Sequence, residues 1–518
     1  MIFHSPHSRL NIPDVSLPEL LLSRAEGYGP KAALIDGTNG RSSTFDELSA
    51  EIRGVAAGLD QLGFRKNDVI ALICPNRPEY ATVFLAAALL GGINTTLNPT
   101  STPEEIRAQA EDSGARYVFT VPELLDRVSG AHDWRAILTP ANARRTVSLE
   151  ELRVSGNAVP DTPIDPSVDV VALPYSSGTT GISKGVRLTH RNLVANLHQI
   201  ATPIFTSEDV IVGLAPFFHI YGLTVVMHLG LFLGATDVIL PRFEIQSFVD
   251  TVERYGVTHA NLVPPLILAL ARHPSLDPKR LRSLRTVQSG AAPLPPETAS
   301  ALADRFGCRV LQGYGLTETS PVTHVAPRSR YDIPLESIGP PVADTECQIR
   351  DIETGRSLGT GATGELYVRG PQVMQGYLNA PEKTREMLDE EGWLRTGDLA
   401  WADPEGNFYI VDRVKELIKY KAYPIAPAEL EAILLTHPAV LDVAVIPSPD
   451  TGAGEIPKAY VVARGEVSAA GLMAWVADRV APHKKLRLIE FIDQIPRSAS
   501  GKILRRVLID RDRARNGS

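Results

Sequence analysis

Residues 174–187 read PYSSGTTGISKGVR and follow the apolar run 168–173. The apolar run predicts a buried strand, and the polar stretch predicts the loop that leaves its end. The glycines let backbone N–H groups approach a ligand closely, while the hydroxyls and a lysine add donors and one positive charge. Donors without carboxylates suit a polyphosphate. We therefore expect a phosphate-binding loop that contains Ser176, Ser177, Gly178, Thr179, Thr180 and Lys184.

A Ser- and Gly-rich surface loop is the alternative interpretation of this stretch. The spacing of its glycines and lysine is not the GxxxxGK[ST] pattern, which argues against a standard P-loop nucleotidase. The order SSGTTGxxKG instead resembles the signature of the adenylate-forming superfamily, which includes acyl-CoA and aryl-CoA ligases. Because a single motif can occur by chance, this assignment requires further motifs of the same family elsewhere in the chain.

Length and composition predict an ordinary soluble protein with more than one domain. The chain has 518 residues, of which 44% are hydrophobic and 22% charged, and this length exceeds one ordinary core. The net charge of −8 provides no broad cationic surface, so we expect no nucleic-acid partner. Cys74, Cys308 and Cys347 are far apart in apolar surroundings, so we expect buried free thiols in a reducing compartment.

No membrane partner is expected either. The most apolar run, residues 80–93, is too short to span a bilayer and predicts a buried helix. The N-terminal segment lacks the continuous apolar core of a signal peptide, and the last residues are not a peroxisomal address. We therefore expect a cytoplasmic protein, as a monomer or a homodimer.

The order of the apolar runs predicts an α/β fold. After residue 168, strand-like runs alternate with segments of helix length, which favours a layered domain with mainly parallel sheets. Thr44 and Glu47 form a capping-box pattern at a helix start. Since ligands bind beyond the carboxyl ends of parallel strands, polar motifs that follow these runs are candidate site residues. The strand candidates are residues 210–215, 236–240, 258–263, 285–288 and 309–312.

Two domains are predicted, with a boundary at Lys415. The large N-terminal domain, residues 1–414, becomes rich in strands and turns after Ser337, which indicates a β-rich subdomain. Residues 415–518 have their own set of helix and strand patterns and predict a small α+β domain. The resemblance implies that this C-terminal domain is mobile and rotates about Lys415 between two half-reactions.

Residues 312–318 read QGYGLTE and place an aromatic side chain between two glycines. An aromatic face can stack on a base and a carboxylate can hold a metal ion, although a turn with one core tyrosine is the alternative. The matching YGxTE segment of the family stacks adenine on its tyrosine, which implies Tyr314 for adenine and Glu318 for Mg²⁺. By the same resemblance the ATP pocket includes Gln312, Gly313, Gly315, Thr317, Gly290, Ala291 and Ala292.

Two further segments resemble the family's ribose contacts and its adenylation lysine. Residues 396–398 read TGD, and the resemblance implies that Asp398 accepts hydrogen bonds from the ribose. Arg413 matches the family's second ribose contact, and Ile410 is a further predicted nucleotide-binding residue. The loop 496–502, PRSASGK, implies that Lys502 bridges the acid and the α-phosphate as negative charge develops. Taken alone, Asp398 and Lys502 would be interpreted as solvated surface residues.

Residues 215–222, APFFHIYG, combine aromatic side chains with His219. A lone histidine is more often part of the core, and no metal-ligand partners lie near His219 in the sequence. In aryl-CoA and acyl-CoA ligases the matching histidine lies beside the acid. The resemblance also implies catalytic roles for Lys419, Thr180 and Glu318. It implies an acyl pocket formed by His219, Tyr221, Asn261, Gly290, Gly315, Pro321 and Val322.

The motifs resemble most closely those of 4-coumarate:CoA ligase-like enzymes. This resemblance implies that a carboxylic acid attacks Mg·ATP and that the acyl-adenylate is then transferred to coenzyme A. The acid would be aryl, such as a coumarate or cinnamate, or medium-chain acyl. A non-catalytic nucleotide sensor is disfavoured, because it would not need all five of Lys184, Glu318, Asp398, Arg413 and Lys502.

One loop departs from the pattern of these ligases. Residues 419–424 read KYKAYP, where the ligases usually have KYKGFQ or KYKGYQ. Ala422 gives up the conformational range of glycine, and Pro424 replaces an amide side chain and fixes φ. Two alternatives stay open: neutral drift in a loop, or an ATP-dependent amide synthetase that transfers the acyl group to an amine.

Overall fold

The computed structural model describes residues 1–141, 143, 146–153, 158–176, 183–201, 204–421, 423–498 and 501–516. Within these residues the chain forms two eight-stranded sheets and two five-stranded sheets, one of which is C-terminal. Helices alternate with the strands of the large sheets, so the predicted α/β fold class is confirmed.

Threonine caps fix several helix starts, including the predicted one. Thr44 Oγ1 accepts from Glu47 N at 3.2 Å, and Glu47 Oε2 accepts from Thr44 N at 2.8 Å. A π-helical segment, Tyr221–His228, runs directly into the eighth α-helix. The helices are α1 Leu17–Glu26, α2 Phe45–Gln61, α3 Pro78–Leu89, α4 Pro103–Ser113, α5 Leu125–Ser129, α6 Leu149–Arg153, α7 His190–Ile200, α8 Leu229–Leu233, α9 Ile245–Tyr255, α10 Pro264–Arg272, α11 Pro296–Phe306, α12 Pro381–Met387, α13 Pro427–Leu435, α14 Ala469–Ala477 and α15 Arg505–Asn516.

The strands are mostly short, and those of the large sheets are largely buried. In chain order they are β1 Phe3–His4, β2 Ala32–Asp36, β3 Ser42–Thr44, β4 Val69–Ile73, β5 Ile93–Thr96, β6 Ala115–Thr120, β7 Ala136–Thr139, β8 Val147–Ser148, β9 Val170–Ser176, β10 Lys184–Thr189, β11 Val210–Gly213, β12 Thr236–Ile239, β13 His259–Leu262, β14 Thr286–Ser289, β15 Arg309–Gly315, β16 Val322–Val325, β17 Glu346–Arg350, β18 Gly364–Arg369, β19 Gly376–Tyr377, β20 Leu394–Ala402, β21 Phe408–Arg413, β22 Ile418–Tyr420, β23 Tyr423–Ile425, β24 Val440–Asp450, β25 Gly454–Ala463 and β26 Leu488–Phe491.

Both large sheets are mainly parallel, as predicted. The first has the order β19-β10-β9-β5-β4-β6-β7-β8, and the second β16-β15-β14-β13-β11-β12-β2-β3. Among the described residues, antiparallel pairing occurs only at the edges of these sheets. In the first sheet β10 pairs antiparallel with β9 and with β19, and in the second sheet the antiparallel pairs are β15–β16 and β2–β3. The five predicted strand candidates are β11 to β15, all in the second sheet.

The chain after Ser337 forms the predicted strand-rich part. Strands β1, β17, β18, β20 and β21 make an antiparallel sheet. β22 to β26 then make a separate sheet with α13, α14 and α15, and its core contains Ile418, Leu430, Val445 and Val461. The chain passes from one sheet to the other between Arg413 and Ile418, and the domain boundary at Lys415 stays a prediction.

Three boundaries differ from the sequence-based expectation. The strand after residue 168 begins only at Val170, because Val168 is 57% exposed, and it continues through the polar Ser176. The predicted buried helix 80–93 ends at Leu89, since the turn at Gly91 (φ 69°) leads into β5. Tyr314 belongs to β15 rather than following it, because β16 pairs with this end of the strand.

The predicted burial of the three cysteines is confirmed, and no membrane-spanning helix is found among the described residues. Cys74, Cys308 and Cys347 are buried free thiols. Among the helices that the structure describes, none has the length and apolar character needed to cross a bilayer.

Candidate active site

A cleft of about 2370 Å³ is lined by residues from all four sheets. β9, β14 and β15 end at this cleft with Ser176, Ser289 and Gly315. Because these strands are parallel within their sheets, their carboxyl ends supply the polar side chains, as expected for α/β proteins. The C-terminal sheet closes the cleft with β24 and with the loop that carries Lys502.

The described part of the predicted phosphate loop lies at the cleft. Ser176 ends β9 and Lys184 begins β10, so the loop connects two antiparallel strands. The Lys184 ammonium lies 5.5 Å from the Tyr377 ring centroid. Ser177, Gly178, Thr179 and Thr180 lie outside the described residues, so their phosphate contacts and the catalytic role of Thr180 stay predictions.

Tyr377 is a cleft residue that the sequence interpretation missed. Its Oη donates to Glu318 Oε1 at 2.8 Å, so it contacts both the predicted metal ligand and the lysine of the phosphate loop. β19 brings Tyr377 to this position by pairing with β10, where Val186 faces it. No local pattern signals a contact between residues so far apart in the chain.

Glu318 is the predicted Mg²⁺ ligand, and its environment fits an oxygen-liganded cation. Its side chain is buried at the cleft, and carboxylate oxygens are ligands that Mg²⁺ prefers. Across the described ranges no group of three or more His, Cys, Asp or Glu residues could hold a metal ion by itself. A cation at Glu318 would therefore need further oxygens from phosphates and water.

The predicted adenine and ribose residues are linked by hydrogen bonds. Tyr314 Oη donates to Asp398 Oδ2 at 2.6 Å, and Arg413 Nε lies 3.4 Å from Asp398 Oδ1. Asp398 and Arg413 face each other across β20 and β21. Burial raises the pKa of Asp398, while Arg413 and the Tyr314 hydroxyl oppose that rise. Ile410 and Thr317 also line this part of the cleft.

Two of the predicted glycines pack closely against neighbouring residues at the cleft. A Cβ on Gly315 would lie 1.9 Å from Pro321 O, and one on Gly290 would lie 3.0 Å from the Tyr221 ring. Ala291 adopts φ 70° in the turn after β14. Gln312 Oε1 accepts from Leu294 N at 3.1 Å, so its amide anchors this turn. The predicted Gly290, Ala291, Ala292, Gln312 and Gly313 all line the cleft.

Lys502 reaches into the same cleft. Burial, and after it the charge of Arg413, lower the pKa of its ammonium to about 8, and the carboxylates of Asp398, Glu416 and Glu318 oppose this fall. These charges come from three different parts of the chain, which the tertiary fold brings to one lysine. At pH 7 the group keeps its positive charge.

His219 lies near Lys502 and is neutral at physiological pH. Burial lowers its pKa to about 4, and the charge of Lys502 acts in the same direction. The ring Nδ1 accepts from Tyr221 N at 3.3 Å, so the proton of the neutral ring is on Nε2. The histidine can therefore donate one hydrogen bond and carries no charge.

Most of the predicted acyl-pocket residues line the cleft, but Asn261 does not. His219, Tyr221, Gly290, Gly315, Pro321 and Val322 are all cleft residues. Asn261 is buried behind Tyr221, and Tyr221 Oη lies 3.2 Å from both Asn261 Oδ1 and Gln288 O. Gln288 of β14 lines the cleft instead and was missed, because its polar side chain lies in a strand.

The residues around the predicted hinge lie at different distances from the site. Lys415 lines the cleft, whereas Lys419 is an exposed residue of β22 and does not. Pro424 is exposed and faces Lys419 across β22 and β23. Ala422 lies outside the described residues. The structure thus does not bring Lys419 to the cleft in this arrangement, and its catalytic role stays a prediction.

The parallel sheets and the cleft at the carboxyl ends of their strands fit the fold of an adenylate-forming enzyme. In agreement, the family described as AMP-binding enzyme matches residues 21–378, and its C-terminal domain matches residues 429–502. The chain belongs to this family.

The similarity to relatives and to solved structures extends over almost the whole chain. 4-Coumarate–CoA ligase 5 from Oryza sativa subsp. japonica is 41% identical, and the match covers 96% of each chain. ATP-bound MatB from Rhodopseudomonas palustris has a TM-score of 0.88 at 28% identity, covering 96% of this chain and 99% of that one. The amide bond synthetase McbA from Marinactinospora thermotolerans has a TM-score of 0.85 at 26% identity, covering 95% and 99%.

Proposed function

We propose that this protein is an AMP-forming acid–CoA ligase, which activates a carboxylic acid with ATP and transfers it to coenzyme A. The observation that carries the proposal is the position of Lys502. This lysine enters a cleft that also contains His219 on the acid side and Asp398 with Arg413 on the nucleotide side.

In the first half-reaction the acid's carboxylate attacks the α-phosphate, and pyrophosphate leaves. Tyr314 stacks on adenine, Asp398 and Arg413 bind the ribose, and Lys184 with the loop before it holds the outer phosphates. The Lys502 ammonium bridges the two reacting anions, since one cation both orients them and neutralises the developing charge. A Mg²⁺ bound by Glu318 would neutralise phosphate charge.

His219 positions the acid and does not act as a base in this proposal. A neutral ring with its proton on Nε2 can donate to a carboxylate oxygen, whereas a pKa of about 4 leaves it a weak base. Two positive charges beside each other in a buried site would repel, which is why the neutral ring suits the neighbouring lysine.

The second half-reaction transfers the acyl group to the coenzyme A thiol. We assign residues 1–414 to the domain that binds ATP and the acid, and residues 415–518 to a mobile domain. Rotation about Lys415 would withdraw Lys502 after adenylate formation and admit the thiol. The passage of the chain between two sheets around Lys415 supports this division.

The acid is proposed to be aryl, in the coumarate or cinnamate class, with a medium-chain acyl acid as the alternative. The cleft's acid side is formed by one aromatic ring and small or apolar side chains: Tyr221, Gly290, Gly315, Pro321 and Val322. The relatives named 4-coumarate–CoA ligases support the aryl class.

An amide synthetase is the second candidate. It rests on the exposed Pro424 of β23, which faces Lys419 of β22, and on the similarity to an amide bond synthetase. An acyl-adenylate can acylate a thiol or an amine, so the first half-reaction is the same in both. We further propose a cytoplasmic monomer or homodimer, since three buried free cysteines suit a reducing compartment.

Product identification by mass spectrometry tests the proposal. The purified protein would be incubated with Mg·ATP, a panel of aryl and fatty acids, and either coenzyme A or a mixture of amines. An acyl-CoA product is the expected result. Acyl-AMP that accumulates with coenzyme A but yields an amide with amines would move the assignment to an amide synthetase.

A further inference from the structure

Helix α10 contacts the C-terminal part of the chain at both of its ends. At its N-terminal end, Gly501 packs so closely that a Cβ on it would lie 3.2 Å from Val263 and 3.6 Å from Pro265. Gly501 has φ 80° and directly precedes Lys502. The loop that carries the lysine therefore rests on the start of α10.

At its other end, α10 finishes with Arg272, which donates to two backbone carbonyls of the C-terminal part. Its Nη2 lies 3.1 Å from Leu435 O, and its Nη1 lies 3.1 Å from Val440 O. Leu435 is the last residue of α13, where carbonyls lack partners within the helix and a cation is favourable. Arg272 thus caps α13, a helix that packs on the C-terminal sheet.

A continuous set of contacts connects Arg272 with Lys502. Val440 begins β24, and two residues further Asp442 accepts from Arg497 Nη2 at 2.7 Å. Arg497 Nη1 in turn donates to Gly501 O at 2.8 Å, directly before Lys502. The position of β24 is therefore coupled to the position of the lysine by short polar contacts.

We propose that Arg272 is a positioning residue for adenylate formation, which holds the C-terminal part in the orientation that keeps Lys502 in the cleft. The inference rests on the proposed two-step function and adds a residue outside its chemistry. The contact is a weak one, because Arg272 is exposed and the nearby Arg464 carries a like charge. A weak contact suits a part that must leave this orientation once per turnover.

The first test uses no acid and reads the position of Lys502 directly. Competitive labelling of lysines with trace acetic anhydride between pH 6 and 11, analysed by mass spectrometry, gives the apparent pKa of Lys502. In the wild type we expect about 8, and in Arg272→Ala a rise of about 0.5 to 1 unit toward the ordinary 10.5, because the lysine leaves its buried site more often. An unchanged value in Arg272→Ala overturns the inference.

The second test separates the two half-reactions with 4-coumarate as the probe. Arg272→Ala should lower ATP–pyrophosphate exchange about three- to tenfold. Formation of 4-coumaroyl-CoA from supplied 4-coumaroyl-AMP should stay within about twofold, since that step does not need Lys502 in the cleft. An equal loss in both half-reactions, or a loss in neither, contradicts the positioning role.

Two further variants sharpen both tests. Arg272→Lys keeps the charge but has a single amine, so its exchange rate should lie between those of the wild type and Arg272→Ala. Arg280→Ala removes an arginine whose ion-pair partners, Asp250 and Glu253, lie near it in the N-terminal part. It should match the wild type in every readout. If the wild type does not activate 4-coumarate, the proposed acid fails, while the labelling result still decides the role of Arg272.

Discussion

The nucleotide side and the acid side of the cleft differ in how their polar groups are satisfied. On the nucleotide side, Tyr314 and Arg413 both contact the carboxylate of Asp398. On the acid side, Gln288 and Ser289 line the cleft, and Gln288 Nε2 and Oε1 and Ser289 Oγ are buried without a hydrogen-bond partner in the described part of the chain. Unpaired buried polar groups are costly, so they stay where water or a ligand completes them. The nucleotide side is complete without its ligand, and the acid side is not.

The largest effect on the rate of acyl-AMP formation is expected from removal of Lys502, which lies between the two sides. Lys502→Ala is expected to slow acyl-AMP formation about 10²- to 10³-fold, because a preorganised cation is lost where negative charge develops. ATP binding should be retained, since the contacts of Tyr314 and Asp398 remain. Pyrophosphate release measures the rate and calorimetry measures binding.

A lysine elsewhere in the C-terminal part provides the control for this variant. Lys484 is ion-paired with Glu429, and Lys484→Ala should keep acyl-AMP formation near the wild-type rate. Unchanged adenylate formation in Lys502→Ala would remove the catalytic assignment.

The second-largest effect is expected from a substitution on the hydrogen-bonded nucleotide side. Asp398→Asn removes the charge that faces Arg413 and should raise the KM for ATP about tenfold or more, because charge-assisted hydrogen bonds are lost. The KM for the acid should change little. Asp403→Asn is the matched control in the turn between β20 and β21, since Asp403 accepts from Asn407 and Tyr409 away from the cleft. A KM for ATP that rises equally in both variants contradicts the ribose role.

The pH dependence of adenylate formation should reflect Lys502 and not His219. The pKa of Lys502 is lowered to about 8, so kcat/KM should be constant between pH 6 and 7.5 and fall about tenfold per unit above pH 8 as the ammonium is lost. The pKa of His219 is lowered to about 4, so its ring is neutral throughout and no inflection near 6.5 is expected.

An arginine variant tests which group causes the alkaline limb. Lys502→Arg keeps its charge at all these pH values, so the residual activity should lose the decline above pH 8. A decline that persists in Lys502→Arg assigns the limb to another group.

The smallest effect is expected on the incompletely paired acid side. Tyr221→Phe removes the hydroxyl that lies 3.2 Å from Asn261 Oδ1 and Gln288 O. The kcat/KM ratio of 4-coumarate to cinnamate should fall about two- to tenfold, since one net hydrogen bond is worth about 1 kcal/mol. Tyr175→Phe, whose hydroxyl binds Asp112 instead, should keep the ratio. An unchanged ratio in Tyr221→Phe excludes this hydroxyl from acid selection.

The comparison also shows which parts of the site the sequence could predict. The motifs TGD and QGYGLTE indicated Asp398 and Tyr314 as site residues only through their resemblance to a known family, and the structure places both at the cleft within β20 and β15. Tyr377 and Gln288 were missed, since the first depends on the distant pairing of β10 with β19 and the second is a polar residue inside a strand. Asn261 was placed in the pocket wall although Tyr221 covers it.

The α/β class, the strands β11 to β15 and the capped helix α2 could be predicted from the sequence, because periodicity, turn residues and caps act between neighbours in the chain. The site residues of the motifs were predicted through their resemblance to a known family. Only the tertiary structure decided which side chains share one electrostatic environment. Arg413 and Glu416 act on the pKa of Lys502, and Lys502 acts on the pKa of His219, because burial weakens solvent screening between groups that are far apart in the chain.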